Sequence, residues 1–219
     1  MKLVIVGVSK FSQMLKDYIT DLDVDVLAYT VDEKYIKVKD IDGIPVVSMD
    51  KLDSYYSNND VELVLGIGYS RLGNVKKEMY NRCKKMGYSF YNYVHPSAII
   101  DKSVEMGEGN LIFENVVIQK YSRIGSGNLF FSNSVIMHDN QIGNYNTFGA
   151  CSVSNGFVQV NDCCFIGANA TLRDGIAIGE NNLVGAGTYV NRSTDINTGV
   201  LTAKPFYKNG GGIYLSEKL

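Results

Sequence analysis

The sequence predicts a two-part fold: an α/β unit on a small Rossmann-like parallel sheet, then an all-β parallel coil of hexapeptide repeats. Two observations predict it. Strand and helix signals alternate from residue 1 to about 90, the order that builds a parallel sheet. From Val94 an apolar residue then returns at every sixth position as far as Ile196, a period found neither in a helix nor in an ordinary strand pair. The change of period sets the expected divisions: residues 1–92 for the α/β domain, 93–203 for the coil and 204–219 for a C-terminal tail.

LVIVG (3–7) is a continuous apolar run closed by glycine, as expected of a buried parallel strand. Phe11, Met14, Leu15, Tyr18, Ile19 and Leu22 follow at helical spacing. VDVLAYTV (24–31) reads as a second strand, GIPVVSMDKL (43–52) as a connection with a short helix, and VELVLGIG (61–68) as a third buried strand. Leu72, Val75, Met79, Cys83 and Met86 then mark one face of a second helix.

In the coil, the sixth positions run Val94, Ile100, Met106 and onward to Val190 and Ile196, with only Ser154 polar. Glycine follows the apolar residue at Gly107, Gly125, Gly143, Gly149, Gly167, Gly179 and Gly185. Three short flat strands and three corners make one turn of about eighteen residues, with the sixth-position side chains stacked inside a triangular prism roughly 29 Å tall. Gly and Asn are expected to supply positive φ at the corners.

Composition excludes several classes of function. A formal net charge of -2 leaves no basic footprint for nucleic acid and no polybasic membrane anchor. MKLVIVG has too short an apolar run for a signal peptide, and no stretch approaches membrane-spanning length, so the expected location is the cytoplasm. Cys83, Cys151, Cys163 and Cys164 lack CxxC spacing, and two histidines cannot build a multi-histidine metal site. The vicinal pair, Cys163 and Cys164, is expected to point to opposite faces of a strand. His138 lies two residues past inward Ile136, so it is expected on the outer surface, where an imidazole beside a carboxylate can move a proton. Asp139 reaches that ring only if the pair sits near a corner, because adjacent residues on a straight strand face opposite ways.

The hexapeptide pattern resembles that of left-handed β-helix acyltransferases. GIPVV, then VLGIGYSRLGNVKKEMYNRCKKMGYSFYNYVHPSAII, then MHDNQIG, resembles the NeuD-like family of sugar acyltransferases, which includes sialic-acid O-acetyltransferases and PglD-like enzymes. The resemblance runs from Lys2 to about Pro205 and implies a left-handed coil and direct acyl transfer from acetyl-CoA. It implies His138 as general base, with Asp139 hydrogen-bonding the ring, and a Gly156 amide close to the thioester. It implies CoA contacts at Ala168, Ala186 and Thr147, the last standing where the family often has histidine. It also implies a homotrimer with inter-subunit sites, because a filled prism cannot enclose a ligand. The N-terminal domain would hold the acceptor sugar or sugar nucleotide near Asp32, Glu33 and Gly68. The family's glycine-rich first loop is here GVSKFSQ, with Ser9, Lys10, Phe11 and Ser12 as candidate acceptor contacts, Lys10 facing a phosphate. Without G-x-G-x-x-G, dinucleotide binding is not expected.

The expected function is therefore acetyl-CoA-dependent N-acetylation of an amino-sugar nucleotide in bacterial surface-glycan biosynthesis. O-acetylation of a sugar such as sialic acid is the alternative. A non-catalytic trimeric scaffold or carbohydrate-binding protein is the rival from another class, favoured by the altered loop and Thr147 and opposed by the His138–Asp139 pair.

Overall fold

The computed structural model describes residues 1–202; the expected tail at 204–219 and the last position expected for the coil lie outside the described residues. The N-terminal unit has a five-stranded sheet in the order β3-β4-β2-β1-β5. Its strands are β1 Lys2–Val6, β2 Asp25–Val31, β3 Asp40–Ile41, β4 Ile44–Ser48 and β5 Glu62–Leu65. Neighbours run parallel except the β3–β4 hairpin. Helix α1 (Lys10–Thr20) connects β1 to β2, α2 (Leu52–Tyr55) connects β4 to β5, and α3 (Asn74–Lys85) leads from β5 to the coil. Leu3, Val4 and Ile5 are fully buried, as a central strand covered on both faces requires.

Two local expectations change. GIPVVS is no mere connection: Asp42 and Gly43 take positive φ, turn the chain back on β3, and let β4 add to β2. The second helix starts after Leu72, since Arg71, Leu72 and Gly73 all have positive φ. Gly73 is required there, because a Cβ would fall 2.2 Å from the Tyr145 carbonyl oxygen on the coil.

From Tyr93 the chain winds in two-residue rungs. Val117–Ile118 pairs in parallel with Ile99–Ile100 below and Val135–Ile136 above, eighteen residues away on each side. The rungs stack into three sheets. Face one carries Ile99, Val117, Val135, Val153, Thr171 and Tyr189 outward; face two carries Glu105, Arg123, Gln141 and Gln159; face three begins at Tyr93 and receives the α/β unit. The expected interior positions form one cluster from Val94 to Val190, with Phe130 and Phe148 stacked at 5.1 Å. Ser154 is fully buried among them and bonds Asn140 Oδ1 at 2.6 Å.

The corners depart from expectation. Positive φ falls three residues after each inward residue, at every sixth position from Gly109 to Gly187, and Tyr121, Asp139, Cys151 and Phe157 adopt it as well as Asn and Gly. Among the glycines just after inward residues, Gly125 and Gly167 serve close approach of successive coils. A Cβ on Gly125 would lie 2.6 Å from the Gly143 oxygen, and one on Gly167 would lie 2.5 Å from the Ala186 nitrogen. The six-residue count also fails at the end. Val184 pairs with Val200, so the last coil is two residues short of eighteen, and Ile196 is left exposed. Nor do Cys163 and Cys164 divide between inside and surface. Cys164 lies in the core, and Cys163, at a corner with φ +58, is buried too, beside Lys76 of α3.

Aromatic rings join the two units. Phe11 packs edge-on against Phe113 and Phe131, and the Tyr18 hydroxyl donates to Glu114. Tyr80 stacks on Phe90 and meets Tyr145. Among the described residues, no helix is long and apolar enough to cross a membrane.

Candidate active site

The edge between faces one and two sets Lys102, Lys120, His138, Gly156 and Asp174 above one another, each two residues past an inward side chain. Backbone bonds hold the stack: Asp139 N–H donates to the Lys120 oxygen at 3.0 Å, and Phe157 N–H to the His138 oxygen at 3.2 Å. Asp139 sits at the corner with φ +56. That left-handed residue breaks strand alternation, so the two neighbouring side chains can meet. His138 Nδ1 lies 2.9 Å from Asp139 Oδ2. A carboxylate only accepts, so Nδ1 carries the proton and Nε2 presents its lone pair outward. Both side chains are partly exposed, at 43% and 37%.

Gly156 faces the ring. A Cβ there would lie 2.6 Å from His138 Cε1 and 2.8 Å from Nε2. Among the described residues its N–H donates to no other group, leaving a free donor beside the base. Phe157 stands edge-on to the imidazole at 5.1 Å. His138 and Asp139 open on a groove of about 890 Å³ that runs down the prism past Lys120, Tyr121 and Lys102. These three were missed by reading along the chain. Stepping back eighteen residues at a time from His138 and Asp139 finds them.

Ala168 and Ala186 stand one above the other on the edge between faces three and one, half-buried and exposed respectively. They flank the same face as His138, from its other side. Thr147 is not there. It lies on face three beneath α3, 1% exposed, and Lys76 Nζ reaches its hydroxyl at 3.3 Å and the Asn146 oxygen at 3.1 Å. A CoA contact at Thr147 is ruled out by that cover. Burial pushes the Lys76 amine down to about 7.

A second cleft, of about 1020 Å³, opens at the carboxyl edge of the sheet. Ser9 and Lys10 line it, with Lys37, Asp40, Asp42 and Tyr35. Ser9 also caps α1: its hydroxyl accepts from Ser12 N–H at 3.3 Å. Lys10 Nζ donates to Gln13 Oε1 at 3.0 Å. Ser12 and Phe11 are corrected to structural parts. Ser12 is fully buried and its hydroxyl donates to the Gly66 oxygen at 2.8 Å, while Phe11 is spent on docking to the coil. Asp32 and Glu33 do not line the cleft and are engaged by cations instead: Arg82 bridges Asp32 and Asp50, and Lys51 lies 3.5 Å from Glu33. Gly68 follows β5 on the same sheet edge, with nothing within 4 Å of a Cβ built there. The glycine that space demands is Gly66, whose Cβ would lie 2.6 Å from Ile5 Cγ2.

Residues 158–192 match the family described as the hexapeptide repeat of succinyl-transferase. No curated protein matches. Among solved structures, PerB from Caulobacter crescentus, crystallised with CoA and GDP-perosamine, superposes with a TM-score of 0.82 at 26% identity, covering 92% of this chain and 94% of that one. The chain shares the fold of such sugar N-acetyltransferases, a small α/β unit followed by a parallel β-helix of hexapeptide repeats, and is similar to them over nearly its full length. The coil is accordingly a left-handed β-helix, as in those acetyltransferases. A mutant of GDP-perosamine N-acetyl transferase from the same organism, with CoA and GDP-perosamine, is 24% identical with a TM-score of 0.81, covering 92% and 94%. The acetyltransferase domain of PglB from Neisseria gonorrhoeae FA1090, in complex with acetyl coenzyme A, is 17% identical with a TM-score of 0.81, covering 94% and 98%.

Proposed function

We propose that the chain is an acetyl-CoA-dependent N-acetyltransferase acting on an amino-sugar nucleotide in the cytoplasm, for surface-glycan biosynthesis. The observation that carries this reading is the His138–Asp139 pair at 2.9 Å, with the free Gly156 N–H beside it. It is supported by likeness over nearly the full length to PerB, a protein held with CoA and GDP-perosamine.

The acceptor amine attacks the thioester carbonyl. His138 Nε2 takes the proton released as the C–N bond forms, and Asp139 stabilises the imidazolium through Nδ1. The developing oxyanion accepts from Gly156 N–H. Collapse expels the CoA sulfur, which receives the proton from the imidazolium. The non-catalytic reading leaves this formed dyad without a task.

The working unit in this reading is a homotrimer. His138 stands on one edge of face one, and Ala168 and Ala186, as CoA contacts, on the other. One prism keeps them apart, and a neighbour's edge would close the cleft. Ile99 and Tyr189 on that face, and Tyr121 and Phe157 on its edge, are all more than 60% exposed, a patch suited to a subunit contact. The cleft with Ser9 and Lys10 takes the nucleotide, with Lys10 toward phosphate.

Release of CoA thiol, measured with acetyl-CoA and a panel of nucleotide amino sugars, tests the reading. Turnover should require the amine. His138→Ala should lower kcat by about 10²–10⁴-fold at unchanged melting temperature, and Asp139→Asn by less. Parent-like turnover in His138→Ala would refute the assignment, as would thiol release only with amine-free sugars.

A further inference from the structure

We infer that Phe157 is a positioning residue for the base: its ring holds the His138 imidazole in the orientation that keeps Nδ1 on Asp139 and Nε2 toward the acceptor amine. This inference rests on the N-acetyltransferase reading above. Three contacts enclose the imidazole. Asp139 Oδ2 holds Nδ1 at 2.9 Å. Gly156 lies one coil above His138 and closes on the other side of the ring, where a Cβ would fall 2.6 Å from Cε1 and 2.8 Å from Nε2. Phe157 lies one coil above Asp139, and its ring meets the imidazole at 5.1 Å with the two planes 84° apart. The Phe157 N–H donates to the His138 oxygen at 3.2 Å, which fixes the height of the phenyl ring above the base. The carboxylate alone would leave a partly exposed imidazole free to rock about the Nδ1–Oδ2 line. That motion carries Nε2 off the path of the attacking amine.

The position is a strained one for this residue. Phe157 has φ +60, a conformation in which a bulky side chain is an outlier. Asn or Gly takes that conformation at most corners of the coil. Tyr145, another exception, turns its ring to Tyr80 at 5.5 Å. Among the described residues, the ring that Phe157 meets is His138. Asparagine at this corner would set an amide beside the dyad, able to donate to Asp139 or to Nε2 and so to compete with their partners. A phenyl ring confines the imidazole edge-on without entering that competition, so Nδ1–H stays with the carboxylate and the Nε2 lone pair with the acceptor. Phe157 is 63% exposed, so the side turned from the imidazole can still take a subunit contact.

The test compares the parent with Phe157→Tyr, Phe157→Leu and Phe157→Met, all carrying His95→Gln so that His138 is the one imidazole left in the chain. Steady-state constants are read with acetyl-CoA and a nucleotide amino sugar, and the Cε1–H proton of His138 is followed by NMR. Phe157→Leu and Phe157→Met keep an apolar side chain and remove the ring. Each should lower kcat about 10-fold and leave both KM values within about 2-fold of the parent. Phe157→Tyr should keep kcat within about 2-fold. The His138 signal should carry a ring-current displacement in the parent and in Phe157→Tyr, and lose it in the other two. Light scattering should return one mass for all four proteins. The inference is overturned if the two variants without the ring keep the parent kcat, if their His138 signal stays where it is in the parent, or if KM for acetyl-CoA rises while kcat holds. It is overturned too if both fall apart into single chains, which would make Phe157 an assembly residue. A parent inactive on every amino sugar would refute the proposed function instead, and the NMR comparison would still decide whether Phe157 holds the ring.

Discussion

At the scale of single residues, catalytic geometry depends on one backbone torsion. Asp139 at φ +56 turns its carboxylate back to His138, whereas an extended residue would face the other way. The ring's other side is set by what Gly156 lacks. Its φ is ordinary, so an added methyl would strain nothing but the imidazole, which it would meet at 2.6 Å. Gly156→Ala should therefore swing the ring off Asp139 and lower kcat about 10²-fold, with a melting temperature close to the parent's. Unchanged kcat in that variant would place the working ring elsewhere.

Among the elements, α3 matters most, because it covers what would otherwise be open face three. It buries Lys76, 1% exposed, against Asn146 and Thr147, with no carboxylate partner among the described residues. The folded chain releases that proton near pH 7, whereas an unfolded lysine keeps it to about 10.4. Between those values the unfolded state binds more protons, so stability rises with pH, by up to about 1.4 kcal/mol per unit. Below the folded value both states are charged and this slope vanishes. Urea denaturation at pH 7 and pH 9 should show parent stability gaining relative to Lys76→Met. Parallel changes in the two proteins would mean the amine is solvated.

For the whole molecule, face one is the unfinished surface. Ile99 and Tyr189 are 65% and 61% exposed there, and Phe157 on the adjoining edge is 63% exposed. Covering each would stabilise an assembly by about 1.5–3 kcal/mol. Three copies of the 24.2 kDa chain give about 73 kDa, the mass light scattering should return for a closed threefold assembly. A mass near 24 kDa at micromolar concentration would refute both the trimer and the shared site.

The coil and its register were legible because a six-residue period is a local property: each inward side chain is specified by its distance along the chain from the last. His138 and Asp139 could be found for the same reason. The corners were harder to read, since Tyr121, Cys151 and Phe157 take a conformation usually associated with glycine or asparagine, and only the closing of the coil forces it. The last turn escaped because its strand is chosen by pairing with Leu183–Val184, which outweighs the count that places Ile196 inside. What the tertiary structure alone decided is the fate of outward residues. Thr147 and Cys163 look like surface positions until α3, far away in sequence, covers them; Phe11 finds Phe113 and Phe131 on the coil rather than a ligand; and Asp32 looks free until Arg82 arrives from α3. Inward burial follows from spacing, but whether an outward side chain meets water or another element depends on contacts between residues distant in the chain, which no local pattern encodes.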